Sequence, residues 1–244
     1  MVYPESPPEV PAVVDRLAAG RPVRAIWRNE LGGVTFRVGS SAESLTEFVK
    51  VGGGHDFAGE ARRLRWAGRY IPVPRVLDFG TDEQGRAWLH TRGLPGVSAV
   101  HPRFRSAPEV AVRAIAVGLR TMHDSLPVSS CPFDWSVPTR MAELSPMHRA
   151  NLPEPPQVDR LVVCHGDACA PNTLIDDVGR YCGHVDLGAL GLADRWADLA
   201  VATLSLGWNF PGRDWDSEFF SAYGIDPDPV RIAFYRRLWQ DPDL

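Results

Sequence analysis

The chain has 244 residues, of which 44% are hydrophobic, so it can bury a substantial core in one or two lobes. Its formal net charge of −4 offers no basic surface for nucleic acid, and we expect no nucleic-acid partner. No apolar run approaches the ~18–20 residues of a membrane span, and Met1 to Pro11 has neither a positively charged start nor an apolar signal core. We therefore expect no membrane partner and a cytoplasmic location.

Residues 1–92 are predicted to form an antiparallel lobe of five strands, with one helix after the third strand. The predicted strands cover Val23 to Arg28, Val34 to Val38, Thr46 to Val51, Arg75 to Phe79 and Arg86 to Thr91. Helices are predicted at Pro11 to Ala19 and, with Asp56 as N-cap, at Phe57 to Tyr70. The turn 29–33 between the first two strands contains Gly32 and Gly33 but no complete G-x-G-x-x-G pattern, and two glycines there are also typical of a simple hairpin turn.

Residues 93–244 are predicted to form a second, mainly helical lobe, which makes the fold class α+β. Gly93, Pro95 and Gly96 indicate a hinge before it. Its predicted helices are Glu109 to His123, opened by Pro108, then Asp194 to Leu206, Asp214 to Ala222 and Pro229 to Trp239. Short strands are predicted at Leu161 to Val163, Thr173 to Ile175 and Tyr181 to Val185. The proline-dotted region Pro127 to Pro156 is expected to be a long loop with one short helix.

The most informative pattern is His165-Gly166-Asp167, followed by Asn172 and then Asp186-Leu187-Gly188. Phosphoryl transfer requires a carboxylate that orients the attacking hydroxyl, and oxygen ligands that hold Mg²⁺. Asp167 suits the first role, and Asn172 and Asp186 suit the second, because Mg²⁺ prefers hard oxygen donors. Asp and Asn also cap turns in many proteins. Three such elements in order nevertheless favour a phosphoryl-transfer site.

Lys50 is the only lysine among 26 basic side chains, the others being arginine. A site that needs a compact point charge on nucleotide phosphates does not accept the planar fork of arginine in its place. Lys50 lies in a predicted strand, and Glu60 lies in the first turn of the helix that follows. We therefore predict that the two side chains pair, as kinases pair a strand lysine with a helix glutamate. The alternatives are a lysine spared by chance and a Glu60 that pairs only with Arg63 on the solvent face.

These residues together resemble the aminoglycoside phosphotransferases of the 3′-type, which share the protein-kinase architecture. The resemblance is carried by Phe48-Val49-Lys50, Glu60 to Leu64, Cys131 to Asp134, Cys164 to Asn172, Ala193 to Ala200 and Arg231 to Arg236. It implies that Asp167 is the catalytic residue and that Asn172 and Asp186 hold Mg²⁺. It also implies that Lys50 and Glu60 form the ion pair on the nucleotide side, and that the backbone near Arg92 and Leu94 holds the base of ATP or GTP. The turn with Gly32 and Gly33 is assigned to the nucleotide phosphates only by its place in this order.

The acceptor side departs from the family. Ala189, Leu204 and Trp208 stand where the 3′-enzymes carry charged residues, and the loop Val137 to Val158 is shorter and offers only Glu143 and Glu154. Replacement carboxylates are sought among Asp214, Asp216, Glu218, Asp241, Asp243 and the terminal group of Leu244, each of which is equally compatible with a solvated surface. Trp208, Trp215 and Trp239 are candidates for the wall of a sugar-stacking pocket, or for core residues.

The expected protein is therefore a monomeric or weakly dimeric small-molecule kinase, with an aminoglycoside as the first choice of hydroxylated substrate. An orphan kinase for another hydroxylated metabolite and a non-catalytic nucleotide-binding protein are the alternatives. Only 11 residues separate Asp186 from Asp198, which leaves little room for the activation loop of a protein kinase. Asp198 itself is expected to accept backbone hydrogen bonds from the catalytic loop.

Zinc is a competing interpretation of the cysteine-rich segment. Its possible ligands are Cys164, His165, Cys169, Cys182 and His184. The spacing of Cys164 and Cys169 differs from the usual C-x₂-C, so we favour reduced cysteines packed as small apolar side chains.

Overall fold

A computed structural model of the chain describes residues 8–29, 32–39 and 46–240. The chain divides into two units, Met1–Pro95 and Gly96–Leu244, whereas the sequence suggested a boundary after residue 92. Within the described ranges, no helix is both long enough and apolar enough to cross a membrane.

The first unit is built on an antiparallel sheet of five strands in the order β1-β2-β3-β5-β4. The strands are β1 (Val23–Arg28), β2 (Val34–Val38), β3 (Glu47–Gly52), β4 (Arg75–Thr81) and β5 (Ala87–Arg92). Helix α1 (Ala12–Ala18) precedes the sheet, and helix α2 (Phe57–Ala67) follows β3 and packs against β4 and β5. The predicted five strands and the helix after the third strand are confirmed. Helix α2 ends before Gly68 rather than at Tyr70, because glycine disfavours the helical backbone.

Alternation along the strands decides which side chains of this sheet are buried. Every second residue of β2 packs into a core that includes Val13 and Val14 of α1. Val49 and Val51 belong to this core. Because successive side chains of a strand point to opposite faces, Phe48 and Lys50 lie on the other face of β3.

The second unit combines helices with short strand pairs. Its helices are α3 (Pro108–Ser125), α4 (Val137–Glu143), α5 (Pro146–Ala150), α6 (Trp196–Asn209), α7 (Asp216–Tyr223) and α8 (Pro229–Trp239). Its strands are β6 (Val97–Ser98), β7 (Leu161–Cys164), β8 (Thr173–Ile175), β9 (Tyr181–His184) and β10 (Gly191–Asp194). Helix α3 packs on α7, and α6 packs on α8, around one apolar core that contains most of their buried side chains. The predicted α+β class is confirmed.

Three details of this unit differ from the sequence prediction. Asp194 does not begin a helix: it ends strand β10, which pairs with β7, and its carboxylate accepts hydrogen bonds from the backbone of Asp159 and Trp196. The region Pro127 to Pro156 contains two short helices, not one, because a proline stands in the first turn of each and fixes a helical φ angle there. Strands β6 and β10 are too short to give a recognisable alternation.

Candidate active site

The loop from His165 to Asn172 joins β7 to β8 and is anchored by a buried carboxylate. Asp198 of α6 accepts hydrogen bonds from the backbone nitrogen of His165 at 2.6 Å and from that of Gly166 at 3.0 Å. The ring of His123 on α3 contacts the same carboxylate, with 2.9 Å between its Nε2 and Oδ2. The predicted role of Asp198 as acceptor for this loop is confirmed. Burial alone would raise the pKa of Asp198, but the hydrogen bonds and charge of His123 and the backbone donors hold it below its usual range.

Gly166 allows the loop to turn next to a neighbouring segment. Its φ angle is +82°, and an added Cβ would lie 2.2 Å from the carbonyl oxygen of Ala189. Only glycine fits such a position without displacement of the backbone. The turn leads directly into Asp167.

Asp167 presents a carboxylate that is only partly engaged. Its Oδ2 accepts a hydrogen bond from Nδ2 of Asn172 at 3.1 Å, whereas its buried Oδ1 has no hydrogen-bond partner in the part of the chain that the structure describes. Burial raises the pKa of Asp167, the charge of His165 and a hydrogen bond from Cys169 oppose this, and the nearby Asp186 raises the pKa further. A buried carboxylate oxygen without a partner is costly to maintain, which indicates a site for a ligand or a reacting group.

Asn172 and Asp186 are held next to this carboxylate by the backbone. The side-chain nitrogen of Asn172 donates to Asp167, which leaves Oδ1 of Asn172 as the atom for a metal. The backbone carbonyl oxygen of Asn172 accepts a hydrogen bond from the backbone nitrogen of Val185 at 2.9 Å. Asp186 follows directly and has a φ angle of +65°, which is rare outside glycine and often marks functional sites. An amide oxygen and a carboxylate beside a second carboxylate match the hard oxygen donors that Mg²⁺ requires.

In the first unit, the predicted pairing of Lys50 with Glu60 is present. Nζ of Lys50 lies 2.7 Å from Oε1 of Glu60, whose side chain is only 6% exposed. Asp56 caps α2 by accepting a hydrogen bond from the backbone of Gly59, and so fixes the turn that carries Glu60. Glu60 therefore does not lie on the solvent face, as the alternative interpretation required.

The other residues predicted on the nucleotide side also belong to the first unit. Gly32 has a φ angle of +80°, and Gly33 closes the β1–β2 turn by accepting a hydrogen bond from Asn29. Arg92 ends β5 opposite Glu47 in the sheet, with 3.6 Å between its Nη2 and Oε1 of Glu47. Leu94 lies half-buried in the irregular segment that follows.

Residues 35–235 match the model of a family described as phosphotransferase enzymes. The chain belongs to this phosphotransferase enzyme family. An aminoglycoside 3′-phosphotransferase of Streptomyces fradiae is 35% identical to it over 75% of this chain and 78% of the relative. The crystal structure of an aminoglycoside 3′-phosphotransferase of type VIII is 32% identical, has a TM-score of 0.74, and covers 90% of this chain and 93% of that one. The structure of the aminoglycoside phosphotransferase APH(3″)-Id from Streptomyces rimosus, in complex with ADP and streptomycin, is 28% identical with a TM-score of 0.62 over 84% of this chain and 88% of that one.

These similarities identify the fold of this phosphotransferase as protein-kinase-like, as the sequence suggested. They also make it an enzyme whose family transfers phosphoryl groups.

A pocket of about 400 Å³ lies in the second unit of the phosphotransferase, at the end of α6. Its lining includes Leu204, Trp208, Asp214 and Asp216, together with Arg213 and Arg236. Trp208 is 53% exposed, whereas Trp215 is buried and donates a hydrogen bond to the carbonyl oxygen of Phe210.

Of the remaining acceptor candidates, Glu154 is exposed and lines a separate pocket with Pro153 and Pro229, and the others fall into two groups. Glu218 pairs with Arg213, and Glu143 pairs with Arg140, so arginines already neutralise both carboxylates. Asp241, Asp243 and Leu244 lie outside the described residues.

The zinc interpretation finds no support among the described side chains. Among the described residues, the potential metal ligands whose atoms lie close together are His123, Cys164 and Asp198. This is not the predicted cysteine-rich set. Asp198 and His123 are engaged by hydrogen bonds to each other, to the catalytic loop and to Tyr223, and the Cys164 thiol donates to the carbonyl oxygen of Asp194. None of the four cysteines, all of which the structure describes, forms a disulfide bond.

Two residues that support the catalytic loop were missed by the sequence interpretation. Ser205 accepts a hydrogen bond from the backbone nitrogen of Ala170 at 2.9 Å. It stands two helical turns after Asp198, on the same face of α6, and this spacing was the available signal. His123 gave no local signal, because its partner Asp198 is 75 positions away in the sequence.

Proposed function

We propose that this phosphotransferase transfers the terminal phosphoryl group of ATP or GTP to a hydroxyl group of an aminoglycoside. One observation carries the proposal: Asp167 presents a buried carboxylate oxygen without a partner, and Asn172 and Asp186 flank it in the same anchored segment. This set provides a base for a hydroxyl group and oxygen ligands for a cation, in the order that phosphoryl transfer requires.

In the proposed reaction, Asp167 orients the attacking hydroxyl group and accepts its proton. Its Oδ1 is the acceptor, because Oδ2 is engaged with Asn172. Asn172 and Asp186 would hold Mg²⁺, which when bound supplies positive charge to the phosphate oxygens. Lys50, oriented by Glu60, neutralises phosphate charge on the nucleotide side. Gly32 and Gly33 cover the phosphates, and the backbone near Arg92 and Leu94 receives the base.

The nucleotide is inferred from the relatives and from the chemistry of the side chains. The complex of the Streptomyces rimosus enzyme with ADP supports an adenine nucleotide as donor. The Lys50–Glu60 pair, in which Lys50 stays partly exposed, supports a ligand with several phosphates, because a compact ammonium group suits point contacts with phosphate oxygens.

The acceptor is assigned to the pocket at the end of α6. Ser205 links this helix to the catalytic loop, and Trp208 stands one turn further along the helix. Asp214 and Asp216 offer carboxylates for amino groups, and the exposed ring of Trp208 offers a surface for a sugar. The relatives include 3′- and 3″-specific enzymes, and we propose the 3′-hydroxyl group as acceptor because the Streptomyces fradiae 3′-enzyme shares the higher identity.

A kinase for a different hydroxylated metabolite is the second candidate. It is favoured by the mixed charge of the pocket, since Arg213 and Arg236 line it together with the two aspartates. A polycation gains less from such a lining than from carboxylates alone.

The test measures nucleoside diphosphate release from ATP and from GTP with Mg²⁺, with a panel of aminoglycosides and of neutral sugars. Asp167→Asn is expected to lose about 10²–10⁴-fold in turnover, the usual contribution of a general base. Asp177→Asn is the matched control, because it makes the same chemical change at a carboxylate that is 97% exposed. Aminoglycoside-dependent release that Asp167→Asn abolishes supports the proposal, and NMR of the product identifies the phosphorylated hydroxyl group.

Other outcomes overturn parts of the proposal. Release that depends only on neutral sugars or other hydroxylated compounds replaces the aminoglycoside with another metabolite. Tight nucleotide binding without any turnover identifies a non-catalytic nucleotide-binding protein. Turnover of Asp167→Asn within tenfold of the unchanged protein refutes the assigned base.

We also infer that the enzyme works in the cytoplasm, where ATP is available, as a monomer or weak dimer. Light scattering of the purified protein across a range of concentrations tests the oligomeric state.

A further inference from the structure

His55 occupies a slot between two glycines of the first unit. An added Cβ on Gly33 would lie 3.0 Å from its Nε2, and one on Gly52 would lie 2.6 Å from its Nδ1. The ring also stacks on Phe57, the first residue of α2, with 5.1 Å between the ring centroids and 16° between the planes. One half-buried imidazole thus contacts the β1–β2 turn, the end of β3 and the start of α2.

Asn29 joins this ring to the turn. Its Oδ1 accepts a hydrogen bond from the backbone nitrogen of Gly33 at 2.7 Å, and its Nδ2 lies 2.9 Å from Nε2 of His55. Backbone bonds from Asn29 to Gly33 and from Gly32 to Asn29 close the same turn. The side chain of Asn29 therefore fixes both ends of the turn that contains Gly32.

These contacts determine the state of the ring. Because Gly33 donates to the oxygen of the Asn29 amide, the amide nitrogen must face His55 as a donor. Nε2 of His55 must then accept, and Nδ1 must carry the hydrogen, which it donates to the carbonyl oxygen of Gly53 at 2.8 Å. All three contacts are satisfied by one neutral tautomer.

We propose that His55 and Asn29 are positioning residues that hold Gly32 and Gly33 of the β1–β2 turn where they receive the phosphates of the nucleoside triphosphate. The proposal rests on the proposed function, which assigns this turn to the phosphates. It adds a mechanism: the pair fixes the turn before the nucleotide binds. Without the pair, only a fraction of the molecules has the turn in the conformation that binds the phosphates. The apparent affinity for the nucleotide is then reduced in proportion to that fraction.

The pair of His55 and Asn29, which we call the latch, also connects the β1–β2 turn to Lys50. His55 stacks on Phe57, and Glu60, which orients Lys50, lies one turn further along α2. The same short segment thus positions the turn and the only lysine of the chain.

The experiment compares five variants of the full chain, of which one is the double variant of His55→Phe with Asn29→Ala. His55→Phe keeps an aromatic ring on Phe57 but removes both polar contacts, and Asn29→Ala removes the other half of the pair. His55→Gln restores an acceptor for Asn29. Asp82→Ala is the matched control, because Asp82 locks the β4–β5 turn of the same sheet by accepting backbone hydrogen bonds from Gln84 and Arg86. Calorimetry gives the Kd of AMP-PNP and of AMP, and steady-state kinetics give KM and kcat.

We expect His55→Phe and Asn29→Ala each to raise the Kd of AMP-PNP and the KM of ATP by about three- to tenfold, the effect of one lost hydrogen bond. The Kd of AMP, which lacks the outer phosphates, and kcat at saturating ATP should change less than about twofold, because the pair acts on the turn and not on the reacting groups. His55→Gln should restore most of the affinity. The loss in the double variant should be smaller than the sum of the two single losses, because the single variants share the contact between Asn29 and His55. Asp82→Ala should lower Tm without weakening AMP-PNP binding.

Three results would overturn the proposed role of His55 and Asn29. These are an unchanged Kd for AMP-PNP in both single variants, an equal loss for AMP and AMP-PNP, or the same loss in Asp82→Ala. Each is distinct from a failure of the proposed function, which would appear as absent AMP-PNP binding in the unchanged protein.

Discussion

Replacement of Asp198 by asparagine tests how the catalytic loop is held. The carboxylate is fully buried and accepts the backbone N–H groups of His165 and Gly166, while its Oδ2 also contacts His123. An asparagine has one acceptor oxygen, so in either orientation its NH₂ group faces a backbone donor. The variant therefore loses at least one charge-assisted hydrogen bond and leaves a buried donor unpaired.

The expected loss of unfolding free energy is about 3–5 kcal/mol, the range for breaking a buried charged network by removing one partner. Because domains are stable by about 5–15 kcal/mol, the variant should fold, with a clearly lower denaturant midpoint. A shift of the catalytic loop by about 1 Å should also reduce kcat about 10²-fold. Urea unfolding followed by tryptophan fluorescence, together with turnover at saturating substrates, measures both effects.

Asp194→Asn is the matched control for this experiment. Asp194 is also buried and accepts backbone hydrogen bonds, but it contacts Asp159 and Trp196 rather than the catalytic loop. Its second bond, from the backbone nitrogen of Trp196, is long at 3.4 Å, so an asparagine NH₂ group that faces this donor should cost only about 1–2 kcal/mol and leave kcat unchanged. Equal effects of the two substitutions, or an Asp198→Asn loss below about 1 kcal/mol with full turnover, would refute the anchoring argument.

The lowered pKa of Asp198 adds a pH dependence with a definite sign. The unfolded carboxyl group binds protons more readily than the folded one, so its contribution to stability is present above the unfolded pKa. That contribution is lost as the pH falls through about 4 towards the folded pKa. The unchanged protein should therefore lose stability more steeply than Asp198→Asn in that range, and parallel curves would contradict the assignment.

Three further substitutions test other parts of the molecule. Gly166→Ala places a methyl group against the carbonyl of Ala189 at a positive φ angle. Circular dichroism melting should show a loss of unfolding free energy above about 2 kcal/mol, and kcat should fall strongly. An unchanged Tm would refute the steric argument. Burial lowers the pKa of His184 to about 3. The unfolding free energy should therefore fall as the pH drops from about 6.5, by up to about 1.4 kcal/mol per pH unit. His184→Leu should abolish that slope in denaturant titrations. Lys50→Arg should raise the KM of ATP at least about tenfold with little change in Tm, since the guanidinium group does not replace the ammonium group that Glu60 orients. An unchanged KM would show that Lys50 does not contact the nucleotide phosphates.

The sequence predicted that Asp167, Asn172 and Asp186 lie together, and the structure places Asn172 and Asp186 beside Asp167. Asp167, Asn172 and Asp186 lie within 20 residues on two short strand ends, so their order alone indicated a shared site. Asp198 was predicted to contact the same loop, and the structure confirms the contact. The pairing of Lys50 with Glu60 followed from a strand and the first turn of the next helix.

Contacts between side chains that are distant in sequence were not predictable in this way. Asn29 and His55 meet across 26 positions, and neither residue type indicates the other. Strand β10 exists because it pairs with β7, not because its four residues show an alternation, and Asp194 was for that reason placed in a helix. Tertiary context determined each of these features.

The two sides of the proposed reaction differ in what fixes them. The catalytic loop is held by backbone hydrogen bonds to Asp198 and Ser205, which are buried in the core, so most substitutions there disturb folding as well as chemistry. The proposed acceptor pocket includes exposed side chains such as Trp208, which can change without cost to the core. Burial and the neighbouring Asp214 raise the pKa of Asp216 in this pocket, although Arg236 opposes the shift. Arg213 and Arg236 line the same pocket, so an amine-bearing acceptor must compete with two guanidinium groups for the carboxylates of Asp214 and Asp216.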